Sequence, residues 1–323
     1  MPLRLLHLLL RVSLGVLAGT VLFACERPAS PPSSAPSTPH TSSRIACLSP
    51  ALAITLKDLG LESSIVARHG YDLVLNPSLP VGGDQQGLNY ETLLTLNPSH
   101  ILLQLGSGVP AKLSTLAAEH TWTVTNFSIL TLDDIQRTTR ELHTTFAPAG
   151  SPCPLLDRMT AAWSAPANPE FRRAGRIVLL ASVSPPAALG PGSFHHQILE
   201  RLGGTPAITT GNPFIELDAE SLLTLKPDGI ILILPRGRDD PPLAASAASP
   251  AHLRSRLGAL GKLSLPALHA AAHPERLALI DDPLAHTPSS AMLAVTDQIR
   301  GILLAWSSAT PVSRPVQPAR PGH

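Results

Sequence analysis

Two carboxylates stand at the same place in a repeated stretch. Residues 88–105 read LNYETLLTLNPSHILLQL and residues 217–234 read LDAESLLTLKPDGIILIL. The copies align without a gap, 129 positions apart, with ten of eighteen positions identical. Glu91 and Glu220 fall in the first turn of the helix each copy predicts. A carboxylate there is worth only about 0.3–1 kcal/mol to the helix. Other reactive side chains form weaker patterns. His195 and His196 are adjacent on a predicted helix, so they point about 100° apart and cannot share one metal. Either alone is a conceivable ligand. His269 and His273 are spaced i, i+4, but no third ligand and no HExxH motif accompanies them. Gly190-Pro191-Gly192-Ser193 lacks the G-x-S-x-G order of a nucleophile elbow. It reads as a loop and helix cap, with backbone N–H groups that suit an anionic ligand group. No nucleophile, base and orienting group converge, so the pattern favours binding over turnover.

The elements that position these residues follow from the same repeat. Each copy is a short amphipathic helix stopped by Asn97-Pro98 or Lys226-Pro227, then an apolar run typical of a strand buried on both faces. The similarity extends upstream, because Arg44-Ile45 and Arg176-Ile177 open buried strands at an offset of 132. Strands are expected at 45–48, 65–68, 121–125 and 277–280. Helices are expected at 111–119, 132–146, 155–165, 193–202, 253–260, 266–273 and 289–306. Residues 69–87 read as a loop. Alternating strands and helices in both halves predict an α/β protein of two Rossmann-like lobes with mostly parallel sheets. One linking helix joins the lobes, and the ligand cleft lies between them.

The flanks set the compartment. Arg4 and Arg11 precede an apolar run, residues 12–24, that ends Leu22-Phe23-Ala24-Cys25. This is a secretory signal with a lipobox-like cleavage site, which makes Cys25 the lipidated first residue of the mature chain. A Pro- and Ser-rich tether follows. Net charge is +1 and 15% of residues are charged, which gives no basic surface for nucleic acid. Cys47 and Cys153 are either a disulfide or two thiols, Cys47 lying in a buried strand. The resulting map is a signal at 1–24, lipidated Cys and tether at 25–43, an N-terminal lobe at 44–147, a linking segment at 148–175, a C-terminal lobe at 176–308 and a tail at 309–323.

Five blocks in order resemble one family. They are RIACLSPALAITLKDLGL, VGGDQQGLNYETLLTLNPSHILL, GPGSFHHQILERLGG, LDAESLLTLKPDGIILI and LALIDDPLAHTPSSAML. The chain resembles the class III periplasmic substrate-binding proteins of ABC importers, which carry cobalamin, haem or ferric siderophores, and is most similar to the cobalamin-binding member. The resemblance implies a monomeric, lipid-anchored binding protein with no resident cofactor. It implies that Glu91 and Glu220 dock on a permease dimer. It implies small closure around the ligand. By position, His69, Tyr71, Gln85, Gln104, Ser193, Phe214 and His286 are the ligand candidates. Gln85 and Gln104 stand where the cobalamin binder carries aromatic rings, while Tyr71 and Phe214 are expected in loops facing the cleft. An exported α/β enzyme working in the same cleft, a hydrolase or a processor of metal chelates, is the alternative. A sensor or adhesin domain is a third.

Overall fold

The computed structural model describes residues 43–237, 240–241, 249–268 and 275–308. The first sheet contains β1 (Ile45–Cys47), β2 (Ile65–His69), β3 (Val81–Asp84), β4 (Gly87–Leu88), β5 (His100–Leu103) and β6 (Thr123–Asn126). Their spatial order is β4-β3-β2-β1-β5-β6, and all pairs are parallel except the β3–β4 hairpin. Its helices are α1 (Pro50–Asp58), α2 (Tyr90–Leu96), α3 (Ala111–His120) and α4 (Leu132–Phe146). The short linking helix is α5 (Pro154–Trp163).

The second sheet contains β7 (Arg176–Val183), β8 (Pro186–Leu189), β9 (Thr205–Pro206), β10 (Phe214–Glu216), β11 (Gly229–Ile233) and β12 (Leu277–Ile280). The order is β10-β8-β7-β11-β12, with β9 beside the start of β7. Strands β7, β11 and β12 are parallel, and β8 runs against both its neighbours. The helices here are α6 (Phe194–Leu202), α7 (Ala219–Leu225), α8 (Pro250–Arg256) and α9 (Met292–Ser308).

Local chemistry explains most boundaries. Helix α4 starts where a capping box forms: Thr131 Oγ1 accepts from Asp134 N–H, and the Asp134 carboxylate accepts from Thr131 N–H. The two repeat helices end alike. Asn97 and Lys226 take left-handed backbone angles, φ 43° and 46°, each just before its proline. Both strands that follow are buried, β11 throughout and β5 beyond His100.

The expected loop at 69–87 instead contains β3 and β4. Val81-Gly82-Gly83-Asp84 has no apolar run, so periodicity does not reveal it. The strand forms because Gly82 lets the backbone lie close under its neighbours. A Cβ there would stand 2.8 Å from Leu48 Cδ2 and 3.3 Å from Leu93 Cδ2. Gly82→Val should therefore overpack this site and cost about 1–3 kcal/mol. Urea midpoints at unchanged slope measure it, and a loss below about 0.5 kcal/mol would show that β3 is not pinned in this way. Strand β10 takes in Phe214, which was expected in a loop. Its partner β8 opens on Pro186, a residue tolerated at the start of a strand but a poor strand signal.

Helix α5 stops at Trp163, ahead of Pro166, and residues Pro169–Ala174 form a 3₁₀ turn. The link is a short helix, close to the expected 155–165. Its buried side chains Leu155, Met159 and Trp163 belong to one continuous apolar cluster with Ile45 and Leu52 of the first lobe and Ile299 and Leu303 of the second. Polar bonds cross the same seam. Ser290 Oγ donates to Asp58 Oδ2 at 2.6 Å, Leu132 N–H to Gln197 Oε1 at 3.1 Å, and Arg201 Nη2 to Asp133 Oδ1 at 3.0 Å.

Candidate functional site

In parallel α/β sheets, ligands sit beyond the carboxyl ends of the strands. In the first lobe those ends carry most of the expected residues. His69 closes β2 and Tyr71 follows it, Gln85 sits in the β3–β4 turn, and Gln104 follows β5. Strands β3, β2, β1 and β5 are consecutive neighbours, so these four residues line one edge. His69 Nδ1 accepts from Tyr71 N–H at 3.1 Å, which leaves the ring proton on Nε2. Burial holds the His69 imidazole below its usual pKa, against the nearby Asp84 and Asp72. Tyr71 is 58% exposed, with its ring 5.9 Å from that of His69. Ser49 completes this edge. It caps α1, and its hydroxyl donates to Gln104 Oε1 at 2.8 Å, fixing the amide. The reach of Ser49 to Gln104, 55 residues away, has no signal in the sequence.

The second lobe assembles differently. His286 lies past β12, and its Nε2–H donates to Ile233 O at the carboxyl end of β11, 3.0 Å away. Its ring sits edge-to-face with His195, centroids 5.4 Å apart. Burial also lowers the His286 pKa. His195 is 2% exposed and donates from Nε2 to Ala285 O at 2.6 Å. Desolvation, with His286 opposing a second charge, brings its pKa down to about 4. His196 is also buried, bonded to Ile208 O at 3.0 Å, with Glu200 3.2 Å from its Nδ1. Both α6 histidines therefore spend Nε2 inside the protein. The same holds for Ser193, whose hydroxyl donates to Gly190 O and accepts from His196 N–H. Phe214 is 56% exposed on edge strand β10, level with Leu189. Arg236, just past β11, stands 3.8 Å from Asp281. Sequence reasoning did not single out this cation.

Glu91 and Glu220 are both exposed, in the first turns of α2 and α7. Asn89 and Asp218 cap those helices, accepting from Thr92 N–H at 3.0 Å and Ser221 N–H at 2.7 Å. The Ser221 hydrogen bonds hold the Asp218 carboxyl below its ordinary range. Each helix leads into a parallel strand and so begins near that sheet's carboxyl edge.

Cys47 and Cys153 are free thiols, not a bridge, and burial pushes Cys47 up to about 12. Among the described residues, no three His, Cys, Asp or Glu side chains group to hold a bare metal ion. No described helix is long and apolar enough to cross a membrane. Cys25, His269 and His273 lie outside the described residues.

Solved structures resemble this architecture along most of the chain. The periplasmic heme-binding protein RhuT of Roseiflexus sp. RS-1, in apo form, superposes at TM-score 0.60 with 17% identity, covering 83% of this chain and 100% of its own. The heme-binding protein HutB of Vibrio cholerae gives 0.61 at 17% identity, covering 81% and 99%. The chain has the fold of the periplasmic binding proteins. The vitamin B12 binding protein BtuF of Vibrio cholerae shares that fold too, at TM-score 0.54 and 17% identity, covering 83% and 99%. No family model matches the sequence, and no curated protein matches it significantly. The shared fold is that of the two α/β sheets and their helices. At such low identity it says nothing of individual side chains.

Proposed function

We propose that this chain is the substrate-binding lipoprotein of an ABC importer, capturing a cobalamin or other corrinoid, haem or a ferric siderophore and handing it to a permease dimer. The observation that carries this reading is the fold, shared over more than four-fifths of the chain with proteins that bind heme and vitamin B12. The export signal, lipidated Cys25 and tether belong to the same reading, since they hold the body near a membrane. The ligand edge supports it chemically. A metal already held in its own chelate needs only one or two further donors. Tyr71 supplies a phenol and His286 the free Nδ1 of an imidazole whose pKa desolvation lowers, while His69, its Nδ1 spent on Tyr71 N–H, offers a ring N–H as a hydrogen-bond donor. Gln85, Gln104 and Phe214 add amide and aromatic contacts. Donors of this kind favour a chelate whose metal keeps an open axial position over one that is already saturated. No turnover is assigned to the site.

The test is a titration of the chain from residue 26 with hydroxocobalamin, haemin and a set of ferric siderophores, read by absorbance and heat. Saturable one-to-one binding of one of them is expected. Binding of none removes the proposal.

A further inference from the structure

A groove of about 520 Å³ runs beside α7, lined by Ile208, Ile215, Leu217 and Leu225, with Asp218 and Glu220 at one end. Glu216, Asp218 and Glu220 are all exposed, three carboxylates within five residues. The first copy of the repeat is built otherwise. Asn89 stands in place of the acidic cap, and Tyr90 stands in place of Ala219 under Lys112, whose Nζ is 4.4 Å from the ring centre. Asn and Asp cap a helix about equally well, so capping does not explain the extra charge of the second copy. Residues 309–323, ATPVSRPVQPARPGH, follow α9 and carry Arg314, Arg320, four prolines and no acidic residue. They leave the body near the groove. Trp306 packs on Gly229 at the start of β11, where a Cβ would stand 2.6 Å from the ring. Arg176, at the start of the neighbouring strand β7, donates to Leu225 O at 3.1 Å. Helix α9 and the groove therefore end at the same edge of the second sheet. They lie on opposite faces, since Leu303 packs with Ile231 and Ile233, and Leu222 with Ile230 and Leu232. Passing round that edge takes about 20 Å, and following α7 back to its first turn about 10 Å more. The twelve residues from Ala309 to Arg320 span up to about 40 Å, enough for both.

We propose that the groove beside α7 is the docking site of this chain's own residues 309–323, with Arg320 paired to Asp218 and Glu220 and Val316 set against Ile215, Leu217 and Leu225. An exposed ion pair contributes little by itself. The apolar lining supplies the remainder, and the aliphatic stem of Arg320 adds to it. Prolines restrict the free segment, so less entropy is lost when it docks. A docked segment covers Glu220 and leaves Glu91 open, so the two repeat helices present unlike faces to solvent. Docking of this kind needs no ligand and no membrane partner, and so it stands apart from the importer reading.

A benzophenone amino acid in place of Gln317 of the full chain tests this, with irradiation in dilute solution and the products mapped by peptide mass spectrometry. The crosslink is expected within one chain, on residues 208–225, at a yield independent of protein concentration. Glu220→Lys should cut that yield about fivefold or more, and adding Arg320→Glu should restore it. Asp218→Asn with Glu220→Gln keeps the helix cap and should lower the yield in the same direction. Crosslinks elsewhere on the body, crosslinks only between chains, or a yield that the charge variants leave unmoved would each overturn the proposal.

Discussion

Trp163→Ala should cost about 3–5 kcal/mol of stability, the range for removing a buried tryptophan. The ring is 3% exposed at the end of α5, in the apolar cluster that joins the two lobes. Its Nε1–H donates to Thr296 Oγ1 on α9 at 2.9 Å, while its carbonyl accepts from Arg201 on α6. The alanine leaves a cavity where three helices meet. Trp163→Phe separates packing from polarity: most of the volume stays, the N–H is lost, and a smaller cost of about 1–2 kcal/mol is expected. Urea unfolding of both variants measures the difference. If Trp163→Ala unfolds within 1 kcal/mol of wild type, the seam is not what holds the lobes together. The seam bears on function because a packed core admits small sliding rather than wide hinge opening. With the seam intact, the first-lobe edge of His69, Tyr71, Gln85 and Gln104 is held largely preformed for the ligand proposed above. With the cavity, affinity should fall without any of those side chains being touched.

How much of this was legible beforehand depends on what each segment uses to hold its shape. Helix α4 runs over the residues its apolar spacing marks, because Thr131 and Asp134 close its start chemically. Strand β12 and the repeat strands are visible as apolar runs because both their faces are covered. Strand β3 is invisible for the opposite reason: its fit comes from the missing side chain of Gly82, which no hydrophobic pattern records. The candidate site divides the same way. His69 and Gln104 follow strands that show as apolar runs, whereas Gln85 follows β3, which the sequence does not reveal. The second-lobe histidines could not be sorted from sequence. Which imidazole is buried and which is exposed depends on carbonyls at Ala285, Ile208 and Ile233, between 12 and 90 residues away. The glutamates were legible as a matched pair in the repeat, and both are exposed in the first turns of α2 and α7.

The buried imidazole also predicts a pH dependence. His195 titrates near 6.5 in the unfolded chain and about 4 in the folded one. Between those values the unfolded state binds more protons, so stability rises with pH. The contribution is complete above about 6.5 and is lost as pH falls toward 4. At 1.36 kcal/mol per pH unit the full loss is roughly 3 kcal/mol. His286 and His69, also lowered by burial, push in the same direction. His195→Gln isolates the one residue, since glutamine keeps a donor for Ala285 O and carries no titrating group. Wild type should lose about 2–3 kcal/mol more than this variant between pH 7.5 and 4.5, measured by urea unfolding at each pH. Equal losses would mean that His195 is not the group being forced to charge. The segment that His195 holds is the one that carries His286 to the end of β11 and Ser290 to Asp58 in the other lobe. Acid should therefore loosen the ligand edge and the seam together, and ligand affinity should fall over the same pH window, less steeply in His195→Gln than in wild type.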